Sequence, residues 1–341
     1  FMAIGILILG PMSDKYGRKP VLIASISISM IFSAACAFMP NITLLIAARA
    51  ASAFGAGGMV AISTALIKDS YEGKEMSKVL SVTQAFMLIA PMLAPVLGAI
   101  ILKVADWKMT FIVLAILTGV SLVGTFLLQE TLPVKERTQS STIQTILGLR
   151  KVAKNPNFSS LLLVGALIAA PFMAYLALAS YIYIDGFGVS ETTFSMYFAS
   201  NAAASILGPV MYMRFGAGSV KKVINVGIIV AIISAILILL VGNTSPIIFL
   251  LSYVLYSILT SYFRPLISDL LLSSTKTDIG ATSSVMNFGY TVIGSIGMVV
   301  GSLQWSSYTG GLATTMLIFI ALTTIVWFYL LKAKSIQFDW K

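Results

Sequence analysis

Charged residues and glycines are concentrated in one short segment of a chain that otherwise carries little charge. Segment 10–20 reads GPMSDKYGRKP. Its distinctive residues are Gly10, Asp14, Lys15, Gly17, Arg18 and Lys19. The glycines allow close approach of two backbones. Asp14 can accept hydrogen bonds from a nearby helix N-terminus and pair with a cation across the interface between two halves of the molecule. Topology alone explains the cations but leaves Asp14 and the glycines unexplained, so the segment predicts an ion-pair site.

Arg49 is a single cation inside the apolar run 44–58, LLIAARAASAFGAGG. A charge within a membrane helix costs about 3 kcal/mol on insertion scales. We therefore expect Arg49 to face a cavity or a carboxylate. A structural ion pair without any transport chemistry is the alternative.

Segment 84–100, QAFMLIAPMLAPVLGAI, repeats small residues and prolines every four positions. Ala90, Ala94 and Gly98 share one helix face, which favours tight packing against another helix. Pro91 and Pro95 share another face and should kink the helix.

Several function classes are disfavoured by what the chain lacks. It has no histidine and one cysteine, Cys36, so we predict no metal site and no intrachain disulfide. There is no Gly-x-x-x-x-Gly-Lys-Ser/Thr loop for ATP and no pair of inward carboxylates. The 22 Lys and Arg residues are spread through short loops and form no single basic face. We predict no enzymatic activity, no cofactor and no nucleic-acid partner, and an ion gradient as the energy source.

The elements that must position these residues are membrane-spanning helices. The chain is 58% hydrophobic and 10% charged, whereas soluble domains are about a quarter charged. Apolar runs of roughly twenty residues recur, each long enough to cross a bilayer as a helix. We predict a partial span at 1–10 and full spans near 21–39, 43–67, 78–102, 109–128, 158–182, 193–213, 223–241, 247–268, 280–303 and 310–331.

The distribution of cations predicts the orientation of the chain. Nineteen Lys and Arg residues fall on one side of the predicted spans, and only Lys103 and Lys108 fall on the other. Because short cytoplasmic loops are enriched in these residues, segment 10–20 and the C-terminus are predicted to be cytoplasmic.

An internal repeat divides the chain. Segment 8–23 is echoed by 206–224 at an offset of 198 residues, with Tyr212 (14 + 198) in the place of Asp14. We predict an N-terminal half at 1–128, a cytoplasmic linker at 129–156 and a C-terminal half at 157–341. Matching halves put the start of the first near 157 − 198 = −41, so we expect about forty residues to precede Phe1.

These features resemble the major facilitator superfamily. Segment 10–19 matches its signature between the second and third helices, and the Arg49 run is similar to its fourth-helix motif. Segment 84–100, with Asp69, Gly73 and Trp107, is similar to the Bcr/CflA subfamily of bicyclomycin and chloramphenicol resistance drug:proton antiporters. The resemblance implies an all-α fold of two six-helix halves, with the first helix and part of the second missing here. It also implies a cytoplasmic latch at segment 10–19, a proton-coupling role for Arg49, and a monomer.

The resemblance implies a transporter in a bacterial inner membrane that exports amphipathic drugs in exchange for protons by alternating access. Its partners are the drug, protons and the lipid bilayer. Aromatic, Met and amide side chains suit varied drugs, although helix packing is an alternative role for each. The cavity candidates are Gln84, Met87, Tyr175, Asn201, Tyr256, Asn287 and Tyr290. A transporter of one metabolite and a truncated product without transport remain alternatives.

Overall fold

The structure is a computed structural model that describes residues 1–71, 73–137, 149–150, 152–215, 219–273 and 279–332. Every regular element in these ranges is helical. The α-helices are α1 Met2–Tyr16, α2 Arg18–Cys36, α3 Ile42–Ser70, α4 Gly73–Val104, α5 Trp107–Leu127, α6 Pro156–Ser180, α7 Glu191–Ser205, α8 Leu207–Phe215, α9 Val220–Val241, α10 Pro246–Ser273, α11 Ile279–Gly301 and α12 Tyr308–Lys332. A 3₁₀ turn covers Val134–Glu136, and a π-helical turn, Tyr181–Gly186, continues α6.

Short polar side chains start several of these helices. Asn41 accepts a hydrogen bond from the amide of Leu44 at 2.9 Å and caps α3. Asp106, Asn155 and Ser190 cap α5, α6 and α7 in the same way. Each cap satisfies an amide that has no partner inside its helix.

Eight of the described helical segments are long and apolar enough to cross a membrane. They are α2, the Ile42–Ile67 part of α3, α5, α6 with its π-helical turn, α9, the Pro246–Leu271 part of α10, the Ser284–Gly301 part of α11, and α12. The apolar part of α4, Ala94–Val104, is shorter. The prediction of an all-α, polytopic membrane protein is confirmed.

The predicted span 193–213 is wrong as a single helix, because α7 ends at Ser205 and α8 begins at Leu207. The cause is Pro209, which has no amide hydrogen to donate to the Ser205 carbonyl four residues earlier. The Ile206 amide instead bonds the Ala203 carbonyl at 3.2 Å, as in a 3₁₀ turn. A side chain at Gly208 would lie 2.5 Å from the Ile258 carbonyl oxygen, so α8 lies against α10 at this glycine.

The helices form two compact units. Unit 1 comprises Phe1–Met87, Ile100–Val152 and Gly280–Phe288, and unit 2 comprises Leu88–Ala99, Ala153–Ile279 and Gly289–Lys341. Both α4 and α11 contribute to both units, which the sequence did not indicate. The division of the chain into two halves joined by a linker at 129–156 stays a prediction.

Each unit has its own core. In unit 1, α2 and α3 cross closely, because a side chain at Gly55 would lie 2.5 Å from the Ser25 carbonyl oxygen. The hydroxyls of Ser33 and Ser52 are 2.9 Å apart at the same crossing. Small residues and interhelical hydrogen bonds of this kind stabilise membrane helix pairs. The core of unit 2 is aromatic and is built on α6, α7, α9, α10 and α12.

Candidate functional site

The segment 10–20 forms a sharp junction between two helices. The α1 helix continues to Tyr16, Gly17 alone makes the turn with φ 104° and ψ 152°, and α2 begins at Arg18. A side chain at Gly17 would lie 2.8 Å from Nη2 of Arg137 and would collide with the carboxylate of Glu130. At Gly10 the expected close approach is wrong, because an added methyl would lie 3.5 Å from Cβ of Ala61, an ordinary contact.

Arg18 is the centre of an ion-pair network in unit 1, which we call the Arg18 cluster: Ser13, Asp14, Arg18, Asp69 and Glu130. Nη1 of Arg18 donates to the Asp14 carboxylate and to Oγ of Ser13, the latter at 2.8 Å. Its Nε donates to Oδ2 of Asp69 at 2.8 Å. The Arg18 residue is only 8% exposed, so its charge is compensated by acids from both α1 and α3.

The acid at the α2 N-terminus is Glu130, which the sequence analysis did not single out. It accepts hydrogen bonds from the amides of Arg18 at 2.9 Å and Lys19 at 3.2 Å. It also accepts from the Leu132 amide at 3.1 Å and lies 3.7 Å from Nη2 of Arg137. The helix N-terminus favours this negative charge. Asp14, for which the sequence predicts a helix N-terminus and a cation as partners, pairs with the cation Arg18 of the same unit. Its pairing across the two halves stays a prediction.

The two lysines of segment 10–20, Lys15 and Lys19, lie outside the Arg18 cluster. Nζ of Lys19 donates to the Phe126 carbonyl at 2.8 Å, near the C-terminus of α5, where a cation is favourable. Lys15 is half-buried, and its Nζ lies 5.4 Å from the ring centroid of Tyr16.

Arg49 lies on α3 with an exposed side chain. Its guanidinium carbon is 5.6 Å from the centroid of the Phe111 ring of α5. The expected carboxylate partner is not among the described contacts of unit 1, and proton coupling through Arg49 stays a prediction.

The small-residue face of α4 is not packed as expected. Ala90 and Ala94 are exposed, and a side chain added at Gly98 would meet no atom within 4 Å. The α4 helix contacts α7 through Pro95 instead, since Oγ of Ser195 donates to the Pro95 carbonyl at 3.1 Å. The side chains of Gln84, Met87 and Pro91 lie outside the described residues.

An aromatic cluster in unit 2 contains two of the predicted cavity residues. We define it as Tyr175, Tyr183, Phe198, Phe249, Tyr253 and Tyr256, all at most 7% exposed. The Tyr175 and Tyr253 rings stack with centroids 4.1 Å apart, and Tyr256 lies 6.0 Å from Tyr253. Spacing along α10 could have identified Phe249 and Tyr253, because they precede Tyr256 by seven and three residues and so share its face.

The other described candidates for the substrate cavity are not members of the aromatic cluster. Asn201 is buried on α7, one helical turn after Phe198. Asn287 belongs to unit 1 and is half-buried. Tyr290 lies on the part of α11 in unit 2, with its hydroxyl against Gly165 of α6, where any side chain would collide with it.

Comparison with known proteins identifies transporters as relatives. A sequence profile described as "Major Facilitator Superfamily" matches residues 1–298. The uncharacterized MFS-type transporter YdgK of Bacillus subtilis (strain 168) is 34% identical over 243 residues, which is 70% of this chain and 60% of the relative. The multidrug resistance protein MdtM of Escherichia coli O157:H7 is 24% identical over 330 residues, or 95% of this chain and 79% of the relative.

Solved structures share the fold at low sequence identity. The human organic anion transporter MFSD10 (TETRAN) has a TM-score of 0.73 and 20% identity, covering 96% of this chain and 82% of its own. The D-xylose-proton symporter has a TM-score of 0.70 and 14% identity, covering 96% and 85%. At these identities the likeness concerns the fold alone. With the profile match over most of its length, the chain belongs to the Major Facilitator Superfamily and has the fold of its transporters.

Proposed function

We propose that the protein is a secondary active transporter that exports amphipathic drugs in exchange for protons. The observation that carries this proposal is the uncharged, aromatic core of unit 2. Every Asp, Glu, Lys and Arg side chain that the structure describes in unit 2 is exposed. A buried charge without a partner is unfavourable, so this core suits apolar and aromatic compounds better than organic acids.

Two further observations support export of drugs. MdtM, which is similar over nearly the whole chain, is named a multidrug resistance protein. MdtL of Escherichia coli O157:H7 (strain EC4115 / EHEC), 35% identical over 133 residues, is also named a multidrug resistance protein, although the match covers 39% of this chain and 34% of MdtL.

The proposal gives roles to the sites in unit 1. Segment 10–19 acts as a cytoplasmic latch through the Arg18 cluster, and Arg49 couples transport to protons. The Ala-Pro motif, Ala90 to Gly98, supports the assignment to the Bcr/CflA antiporters. The protein acts as a monomer in a bacterial inner membrane with its C-terminus in the cytoplasm.

Drug accumulation in cells tests the proposal. Bacteria that lack their own efflux pumps and produce the full-length protein should accumulate less of a fluorescent amphipathic drug than cells carrying an empty vector. A protonophore should remove the difference, because the gradient drives export. Accumulation that does not fall, or a fall that persists with the protonophore, contradicts the proposal. If accumulation does not fall, import or export of a single metabolite is the alternative.

A further inference from the structure

Several buried polar atoms in unit 2 make no hydrogen bond within the part of the chain that the structure describes. Four of them lie together in the aromatic cluster or beside it: the hydroxyls of Tyr175 and Tyr183, on α6 and its π-helical turn, and those of Tyr253 and Ser257, on α10. All four residues are at most 1% exposed. The other atoms of this kind are Oδ1 of Asn157 and of Asn201 and the hydroxyl of Tyr290. A buried hydroxyl without a partner destabilises the fold, so four in one core call for an explanation beyond packing.

Tyr256 shows that a tyrosine hydroxyl buried in this core can form a hydrogen bond with the backbone. Its hydroxyl donates to the Ile168 carbonyl at 2.6 Å, one turn before Pro171. By contrast, the hydroxyls of Tyr175 and Tyr183 approach each other, as do those of Tyr253 and Ser257, without the geometry of a hydrogen bond. Each of these hydroxyls therefore keeps an unused capacity to donate or accept a hydrogen bond.

The rings carrying these hydroxyls are nearly parallel. Tyr175 is inclined by 5° to Phe198, with centroids 5.8 Å apart, and by 24° to Tyr253 at 4.1 Å. Tyr253 in turn is inclined by 7° to Phe249 at 6.2 Å. Aligned ring faces of this kind accept another planar ring by offset stacking. The shared orientation therefore selects a flat ligand.

Charge narrows the chemistry of that ligand. The described charged side chains of unit 2 are all exposed, so neither an anion nor a cation gains an ion pair among these rings. Hydroxyls both donate and accept hydrogen bonds, which matches amide, hydroxyl or carbonyl groups on the ligand edge.

We infer that the aromatic cluster, with Ser257, is a binding site for an uncharged planar aromatic compound that carries hydrogen-bond donors and acceptors on its edge. The inference rests on the proposed function, of which it specifies the substrate class. The ring stack opens to admit the ligand, and the four hydroxyls take up its polar groups.

Binding of isosteric probes to the purified full-length protein in detergent tests the inference. Naphthamide, naphthamidine and naphthoate share one flat ring system and differ in charge. We expect calorimetry to show naphthamide binding about tenfold more tightly than either charged probe. Tyr175→Phe and Tyr253→Phe keep the rings and remove the hydroxyls, so each should weaken naphthamide binding about fivefold while the melting temperature stays equal or rises.

Tyr308→Phe is the matched control, because Tyr308 is 43% exposed at the start of α12 and should change neither quantity. Ser257→Ala provides a second variant if a tyrosine variant fails to fold. The inference is overturned if naphthamide does not bind, if a charged probe binds as well, or if the folded variants keep the wild-type affinity. The calorimetric assay measures binding without transport, whereas the accumulation assay in cells measures export. A failure of the binding site can therefore be distinguished from a failure of the proposed drug export.

Discussion

Gly17 combines two constraints at one residue. Its φ of 104° and ψ of 152° lie in a region that essentially only glycine occupies. Its missing side chain also leaves space for Glu130 and Arg137 beside the α2 N-terminus. A single glycine therefore lets α1 turn into α2 and lets Glu130 reach the amides of Arg18 and Lys19, which have no partner within α2.

We expect Gly17→Ala to destabilise the protein by about 1–3 kcal/mol, from backbone strain and displacement of Glu130. The melting temperature of the purified protein should fall by about 3 °C or more. Gly10→Ala is the control, since its methyl makes only an ordinary contact with Ala61 and alanine favours the helix. Equal melting temperatures for the wild type and Gly17→Ala contradict this account.

At the residue scale, sequence reasoning named Asp14 and Arg18 in one segment but did not name the contacts that each of them makes. Asp14 and Arg18 are four residues apart, so this pair could have been anticipated from their spacing. Glu130 stands 112 residues after Arg18, and no spacing rule connects them. Asp69 was noted only as part of a family motif, although it is a direct partner of Arg18.

At the scale of elements, the segment after α5 is held to the start of α2. Glu130 contacts the amides of Arg18 and Lys19, while the guanidinium of Arg137 lies beside Glu130 and donates to the Leu132 carbonyl at 3.4 Å. The contacts are charge-assisted, which makes them stronger than neutral hydrogen bonds. The stretch 130–137 is therefore fixed by an element that lies more than a hundred residues earlier in the chain.

Glu130→Gln should loosen this stretch, because the amide keeps one acceptor but loses the charge that the helix N-terminus and Arg137 favour. We expect trypsin to cleave after Lys135 and Arg137 about tenfold faster, as measured by mass spectrometry of timed digests. Glu75→Gln, which removes an exposed acid from the first turn of α4, should leave the rate unchanged. Equal cleavage rates in Glu130→Gln and the wild type argue against the anchoring role.

The sequence predicted the number and approximate position of the helices better than it predicted where each helix ends. Apolar runs mark what lies in the bilayer, but α1 and α3 continue beyond their runs into charged residues, to Tyr16 and Ser70. Helix hydrogen bonding does not stop where hydropathy changes, so the predicted ends at 10 and 67 fall short. Pro209 was visible in the sequence, yet the span around it was predicted as continuous because 193–213 contains no charged residue.

At the scale of the whole molecule, the Arg18 cluster has a partial counterpart in unit 2. The hydroxyl of Tyr212 donates to Oδ2 of Asp269 at 2.5 Å. Tyr212 stands 198 residues after Asp14, and Asp269 stands 269 − 69 = 200 residues after Asp69. In unit 1 it is Arg18 that pairs with Asp69 near the end of α3, whereas in unit 2 it is Tyr212 itself that bonds Asp269 near the end of α10. A neutral tyrosine in the second copy stands at the position that an acid holds in the first.

Arg49 is the residue through which we expect the proton gradient to act on transport. It is a cation within a span of unit 1, and its described contact is the face of Phe111. A fixed positive charge favours the ionised form of any acid within reach. If the proposed exchange with protons is correct, this charge sets when such an acid releases its proton, and the drug and proton cycles become linked through it.

Arg49→Ala should therefore uncouple the two cycles. In inside-out vesicles that hold a pH gradient, the addition of drug should release protons with the wild type and not with Arg49→Ala, as read from a pH-sensitive dye. Arg49→Lys keeps the charge and should retain part of the signal. Lys108→Ala is the matched control, because Lys108 is also a cation near an aromatic ring, 6.0 Å from the centroid of Trp107, but lies in the first turn of α5. Drug-dependent proton release that is undiminished in a folded Arg49→Ala protein means that coupling runs through other residues.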